Sequence, residues 1–123
     1  QYDMQVMMIG GMLARNTMSN IGIQSVNQLR DFNANIAFMS CNGVALSHGI
    51  TNSNEMEGDI KKVAIQISHK SVLLAANNKF DKISLYTIAR MTDIDTLITD
   101  KPLDDQYVKK AQDSNTTLIV ADE

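Results

Sequence analysis

Residues 35–62, NIAFMSCNGVALSHGITNSNEMEGDIKK, decide how this chain folds. An apolar run, Ile36 to Met39, ends at Ser40, Cys41, Asn42 and Gly43. Asn-Gly after an apolar run is a turn signal, because both residues tolerate positive φ. A loop containing Gly49 and Thr51 follows, and a helix begins at Asn54. Asn54 followed by Glu57 has the form of a capping box, in which Asn54 caps the first turn and Glu57 reaches back to the Asn54 N–H. The stretch therefore predicts a strand, a polar turn and a helix N-terminus set down beside that turn. α/β proteins commonly build small-molecule pockets from such joins, although the same residues also suit an ordinary strand–loop–helix connection.

Working outward, Glu55 to His69 reads as the principal helix. Met56, Ile60, Val63, Ala64 and Ile67 form one apolar stripe at helical spacing. Upstream, Val6 to Ile9 reads as a buried strand stopped by Gly10-Gly11, Met12 to Ile21 as irregular, and Gly22 to Asp31 as a helix with Val26 and Leu29 inward. Downstream, Val72 to Ala76 is another apolar run, closed by Asn77-Asn78-Lys79. Ile83 to Arg90 fits strand or helix, and Thr92 to Asp95 a single helical turn. Thr96 to Thr99 is a strand, Asp104 to Gln112 a helix, and Thr117 to Ala121 the last strand. Short continuous apolar runs predict strands covered on both faces, and intervening helices predict a three-layer α/β domain with a mostly parallel sheet. Ligands bind such sheets outside the carboxyl ends of the strands. The residues just past those ends are Gly10-Gly11, Ser40 to Gly43, Asn77 to Lys79 and Asp100, all polar or flexible.

Length and composition narrow the function classes. The chain has 123 residues, which suits one domain. It is 44% hydrophobic and 20% charged, an ordinary globular balance. Net charge is −3 with scattered basic residues, so no nucleic-acid patch is expected. A single cysteine, Cys41, excludes an internal disulfide and fits the reducing cytoplasm. No apolar run reaches the length of a membrane helix. The first residue is Gln1 and an apolar run follows almost at once, which predicts a piece of a longer protein.

Catalytic chemistry is thinly supplied. His48 and His69 are isolated, Cys41 reads as a small buried thiol, and no cluster has metal-ligand spacing. No phosphate loop of the nucleotide-binding kinds is present. Anion binding is better supplied: Lys61, Lys79, Arg15, the N–H groups after Asn54 and the Gly10-Gly11 backbone can all serve a phosphate.

The order of these motifs resembles the carboxyl-terminal sensor domain of DeoR-type bacterial transcriptional regulators. The matching features are Gly10-Gly11, Gly22, AFMSCNG at 37–43, Gly49-Ile50-Thr51, Asn54, Glu57, Lys61, LLAANNKF at 73–80 and IDTLITD at 94–100. They run through nearly the whole chain. The resemblance implies a fold related to ribose-5-phosphate isomerase, glucosamine-6-phosphate deaminase and the CoA transferases. It implies a pocket for a phosphorylated sugar, no cofactor, and a homo-oligomeric repressor of carbohydrate-utilisation genes. Operator DNA would be bound by an amino-terminal winged helix-turn-helix that this sequence lacks, along with the first part of the sensor domain and its phosphate loop.

Matched position by position, the resemblance carries Gly10, Gly11, Asn42, Gly43, Lys61 and Lys79 into the pocket, with Arg15, Thr51 and Glu57 as further candidates. The family usually has Asp where Asn42 and Ala76 stand, and often at Asn35. Asn42 can still hydrogen-bond sugar hydroxyls but cannot act as a general base. Two rival readings stay open: a sugar-phosphate isomerase or deaminase on the same fold, and a piece that only assembles.

Overall fold

The computed structural model of the protein describes residues 3–121. In chain order the elements are β1 (Met12–Ala14), β2 (Ser19–Ile21), α1 (Ile23–Arg30), β3 (Ala34–Met39), β4 (Gly43–Ala45), β5 (Gly49–Asn52), α2 (Glu55–Ile67), β6 (Ser68–Leu74), β7 (Tyr86–Ala89), β8 (Thr96–Thr99), α3 (Asp105–Asp113) and β9 (Thr117–Val120). Four of the strands form a wholly parallel sheet in the order β3-β6-β8-β9. Four of the apolar runs of the sequence, those at 36–39, 72–76, 96–99 and 117–121, become its strands, as expected. Two short 3-10 turns, Asn77–Lys79 and Met91–Asp93, flank β7.

Helix α2 starts where the capping signal places it. The Asn54 side chain accepts the Glu57 N–H at 3.0 Å, and Glu55 and Glu57 sit in the first turn, where carboxylates favour the helix dipole. Only this half of the capping box forms among the described hydrogen bonds. Val63 is buried, Ile60, Ala64 and Ile67 are half-buried, and Met56 is exposed. The inward stripe is thus correct in its middle and wrong at Met56, which lies in the first turn, ahead of the core contacts. The helix also stops two residues before His69. Ser68 is already extended and pairs with Ala34, so sheet hydrogen bonds take over from helical ones.

Residues 43–52, expected as a loop, are instead a hairpin. β4 and β5 pair antiparallel, and β7 adds to β5, giving a second, three-stranded sheet. The main core lies between the two sheets. It contains Met39, Leu73 and Leu97 of the parallel sheet, Val44, Ile50 and Ile88 of the antiparallel one, and Tyr107 of α3. Burying each large side chain contributes roughly 1.5–3 kcal/mol.

The three-layer expectation does not hold among the described residues. The register puts Phe38, Val72 and Thr96 on one face of the parallel sheet, with Leu74, Ile98 and Ile119. On that face Phe38 is 67% exposed, and Ile36, Leu74 and Ile119 are also exposed. Apolar runs predict strands suited to burial on both sides, but only partner elements can bury them. The crossover from β6 to β8 likewise runs through β7 rather than a helix.

Val6 to Ile9 is a further correction. It forms no strand, and Val6, Met7 and Met8 are exposed. No strand of the described residues lies beside it to supply a ladder. Residues 12–21, expected to be irregular, form the β1–β2 hairpin.

Candidate functional site

At the carboxyl end of β3 the chain turns through Ser40, Cys41 and Asn42. The Asn42 N–H donates to the Thr51 carbonyl at 3.0 Å, and its Oδ1 accepts from the Ser53 N–H at 2.8 Å and the Ser53 hydroxyl at 3.1 Å. These bonds fix the amide plane. They leave the Asn42 Nδ2 group, a double donor, without a partner among the described residues. Asn54, Glu57 or Gly58, and Lys61 recur at helical spacing, so the cap and the lysine share one face of α2. That face brings Lys61 to the strand end, where its ammonium donates to the Ser40 carbonyl at 2.8 Å and to Asn52 Oδ1 at 2.7 Å.

The electrostatics follow from this packing. Burial pushes the Cys41 thiol above its ordinary range, and the ammonium groups of Lys61 and Lys79 only partly counter it. Cys41 is therefore a protonated core thiol rather than a nucleophile, as its sequence context indicates. Burial pushes the Lys61 ammonium down, against the nearby Glu57 carboxylate and Cys41. Both lysines act on Cys41, so positive potential converges on the end of β3.

The next two strand ends are tied together. The Asn77 N–H donates to Asp100 Oδ1 at 2.7 Å, and that bond is the main reason the Asp100 carboxyl lies below its usual range. At the other end of β8, Asp95 Oδ2 accepts the Ser71 N–H at 2.7 Å. The two carboxylates of IDTLITD thus hold the β6 chain at Ser71, in mid-strand, and at Asn77, just past the strand. Asp100 is legible in the sequence as a residue just past a strand end, whereas the bond of Asp95 to Ser71 is not. The pairing of residues 23 and 24 apart leaves no local signal.

The predicted site residues fall into two groups. Asn42, Gly43, Thr51, Glu57 and Lys61 gather around the end of β3 and the start of α2, with Lys79 facing them electrostatically. Two of these serve the fold from inside. Thr51 is fully buried, and its hydroxyl accepts the Ser84 N–H at 2.8 Å. A Cβ at Gly43 would overlap the Lys82 carbonyl oxygen, so glycine permits that close approach. Gly10 and Gly11 lie instead against α1. The Gly10 N–H donates to Gln28 Oε1 at 2.9 Å, its carbonyl accepts the Ser25 hydroxyl at 2.6 Å, and a Cβ at Gly11 would collide with Ser25. The Gly10 N–H is therefore already engaged. Arg15 stands exposed in the turn between β1 and β2. Strand β2 borders a small cavity of about 110 Å³ with Glu57, Ile60 and Lys61; Gly10, Gly11 and Arg15 are not among its lining residues.

Among the described residues, no group of three or more His, Cys, Asp or Glu is arranged to hold a metal ion. No described helix is long and apolar enough to cross a membrane.

The amino-acid sequence is similar to those of known proteins. The family described as the DeoR C terminal sensor domain matches residues 1–101. The HTH-type transcriptional regulator IolR of Bacillus subtilis (strain 168) is 36% identical over 119 residues, covering 97% of this chain and 47% of that protein. GolR, an HTH-type transcriptional regulator of Listeria innocua, is 29% identical over 120 residues, covering 98% of this chain and 47% of that protein. The L-fucose operon activator of Haemophilus influenzae is 25% identical over 118 residues, again with 47% of its length covered. The chain spans about half the length of the curated relatives it matches.

Proposed function

We propose that this chain, which belongs to the family of DeoR C-terminal sensor domains, senses a phosphorylated sugar and so controls the operator affinity of a cytoplasmic transcriptional repressor. The observation that carries this reading is the Lys61 ammonium at the end of β3 beside the unpartnered Asn42 Nδ2 donors, with the Lys79 charge acting on the same Cys41. Lys79 takes the phosphoryl group and Asn42 the hydroxyls. Lys61 holds the loop and adds its charge. Glu57, Gly43 and Thr51 keep the β3–α2 join in shape, while Gly10, Gly11 and Arg15 close the side next to α1 and β2.

A charge-assisted bond of this kind is worth roughly 1.5–3 kcal/mol, so a few of them with hydroxyl contacts reach micromolar affinity. The relatives' names point the same way, since they are regulators and one is named for an L-fucose operon. Asn42 offers no proton-accepting carboxylate where an isomerase needs a base, which favours sensing over turnover. DNA contact belongs to a separate helix-turn-helix domain, and the ligand acts by binding one arrangement of a homo-oligomer better than another. Calorimetry with phosphorylated and unphosphorylated hexoses and pentoses tests the reading. Binding of the phosphates alone, weakened at least about tenfold by Lys79→Ala, is expected. Equal binding of free sugars and phosphates refutes it.

A further inference from the structure

A cavity of about 400 Å³ opens away from the strand-end rim, between the β4–β5 turn, the chain leaving β7, and α3. The parallel strands start on this side: Met91 and Thr92 lie in the 3-10 turn that leads into β8, and Lys110 lies in the last turn of α3, which runs back toward the start of β9. Its walls carry His48, Arg90 and Lys110, with the hydroxyls of Ser47, Thr87 and Thr92 between them. Its floor is made of buried Ala45, Met91 and Tyr107.

The charge of this lining runs against that of the molecule. The chain has 14 acidic and 11 basic residues, yet among the described residues no carboxylate lines the cavity. The groove of about 550 Å³ between α1 and α2 differs, since it balances Arg30 and Lys62 with Glu55 and Asp59. Two acids stand next to the lining: Asp93 Oδ2 accepts the backbone N–H of Arg90 at 2.9 Å, and Asp81 Oδ1 accepts the Tyr107 hydroxyl at 2.7 Å. Ser47 Oγ lies 2.7 Å from His48 Nδ1 and holds the imidazole. With the hydroxyl donating to Nδ1, Nε2–H is the ring's free donor. A guanidinium, an ammonium, an imidazole N–H and the hydroxyls of Thr87 and Thr92 around one concave space are the groups that bind oxyanions. The volume falls within the usual range for small-molecule sites.

We propose that this cavity is a second ligand site, separate from the strand-end rim, that takes a small molecule bearing a phosphoryl or carboxylate group. Arg90 supplies the bidentate contact, Lys110 the second charge, and His48 an N–H donor.

The test is a nuclear magnetic resonance titration of the full 123-residue chain at constant ionic strength, with inorganic phosphate in one arm and malonate in the other. Saturable shifts of the His48, Gly49, Arg90 and Thr92 amides are expected with at least one anion, and the tighter of the two names the source. Arg90→Gln with Lys110→Gln should weaken that binding at least about tenfold. The responses of Asn42, Ser53 and Lys79, which report the rim, should be the same in the double variant as in the unsubstituted chain. Both substituted residues are exposed, so the fold is retained, and circular dichroism verifies it. The proposal is overturned if no saturable shift occurs at the cavity, or if the double variant binds as tightly as the unsubstituted chain.

Discussion

Replacing Lys61 by Met separates the structural role of this lysine from the ligand role of Lys79. Met keeps most of the aliphatic stem and removes both hydrogen bonds of the ammonium. The Ser40 carbonyl and Asn52 Oδ1 then lose their donor, and Asn52 is only 1% exposed. Two charge-assisted bonds correspond to roughly 3–6 kcal/mol if taken singly. Relief of the cost of burying the charge, visible in the depressed Lys61 ammonium, offsets part of that. A net loss of about 2 kcal/mol follows, which lowers the melting temperature of a domain this size by roughly 6–10 °C. The chain contains no Trp, so far-UV circular dichroism during urea unfolding is the suitable assay.

The alkaline response of Lys61→Met gives an independent reading. A lysine depressed in the folded state binds more protons when unfolded. Its contribution to stability therefore rises with pH through the window just below its ordinary 10.5, and Lys61→Met removes that rise. Stability within about 0.5 kcal/mol of the parent, the scale of an ordinary surface substitution, would refute the bridging role.

Other outcomes follow from the same contacts. Gly43→Ala should destabilise the chain by about 1–3 kcal/mol in urea titrations, because the new methyl group meets the Lys82 carbonyl and the Thr51 hydroxyl. Asp95→Ala should cost about 1–3 kcal/mol by the same assay and expose the Ser71 amide to hydrogen exchange, since that N–H loses its acceptor. Tyr107→Phe removes a hydroxyl that donates to Asp81 Oδ1 at 2.7 Å and lies 3.3 Å from the Val44 carbonyl. Burial first, and then Asp81, raise the Tyr107 phenol above 10.0. Its stabilisation is thus complete below pH 10.0 and lost as pH rises through the folded value, so Tyr107→Phe should flatten that alkaline loss in pH-dependent melting curves. An unchanged slope would count against the contact.

What the sequence determined by itself was local. The cap at Asn54, the turn at Asn42-Gly43, the four apolar runs that become β3, β6, β8 and β9, and the helical turn after Arg90 all depend on residues within a few positions of each other. Backbone hydrogen bonding and side-chain periodicity act at that range. The grouping of Asn42 and Lys61 also came within reach, because the lysine shares a helix face with its cap.

Tertiary structure alone decided the rest. The hairpin of β4 and β5 needed β7, more than thirty residues away, to make a sheet. The apolar side chains of Ile36, Phe38 and Leu74 suited burial, but no described element covers them. Thr51 read as a ligand residue until the antiparallel sheet enclosed it, and Asp95 gained its role only when β6 and β8 lay side by side. His48, Arg90 and Lys110 are isolated in the sequence and line one cavity in the fold. Each of these depends on which distant surfaces meet, and chain-local propensity carries no energy term for that.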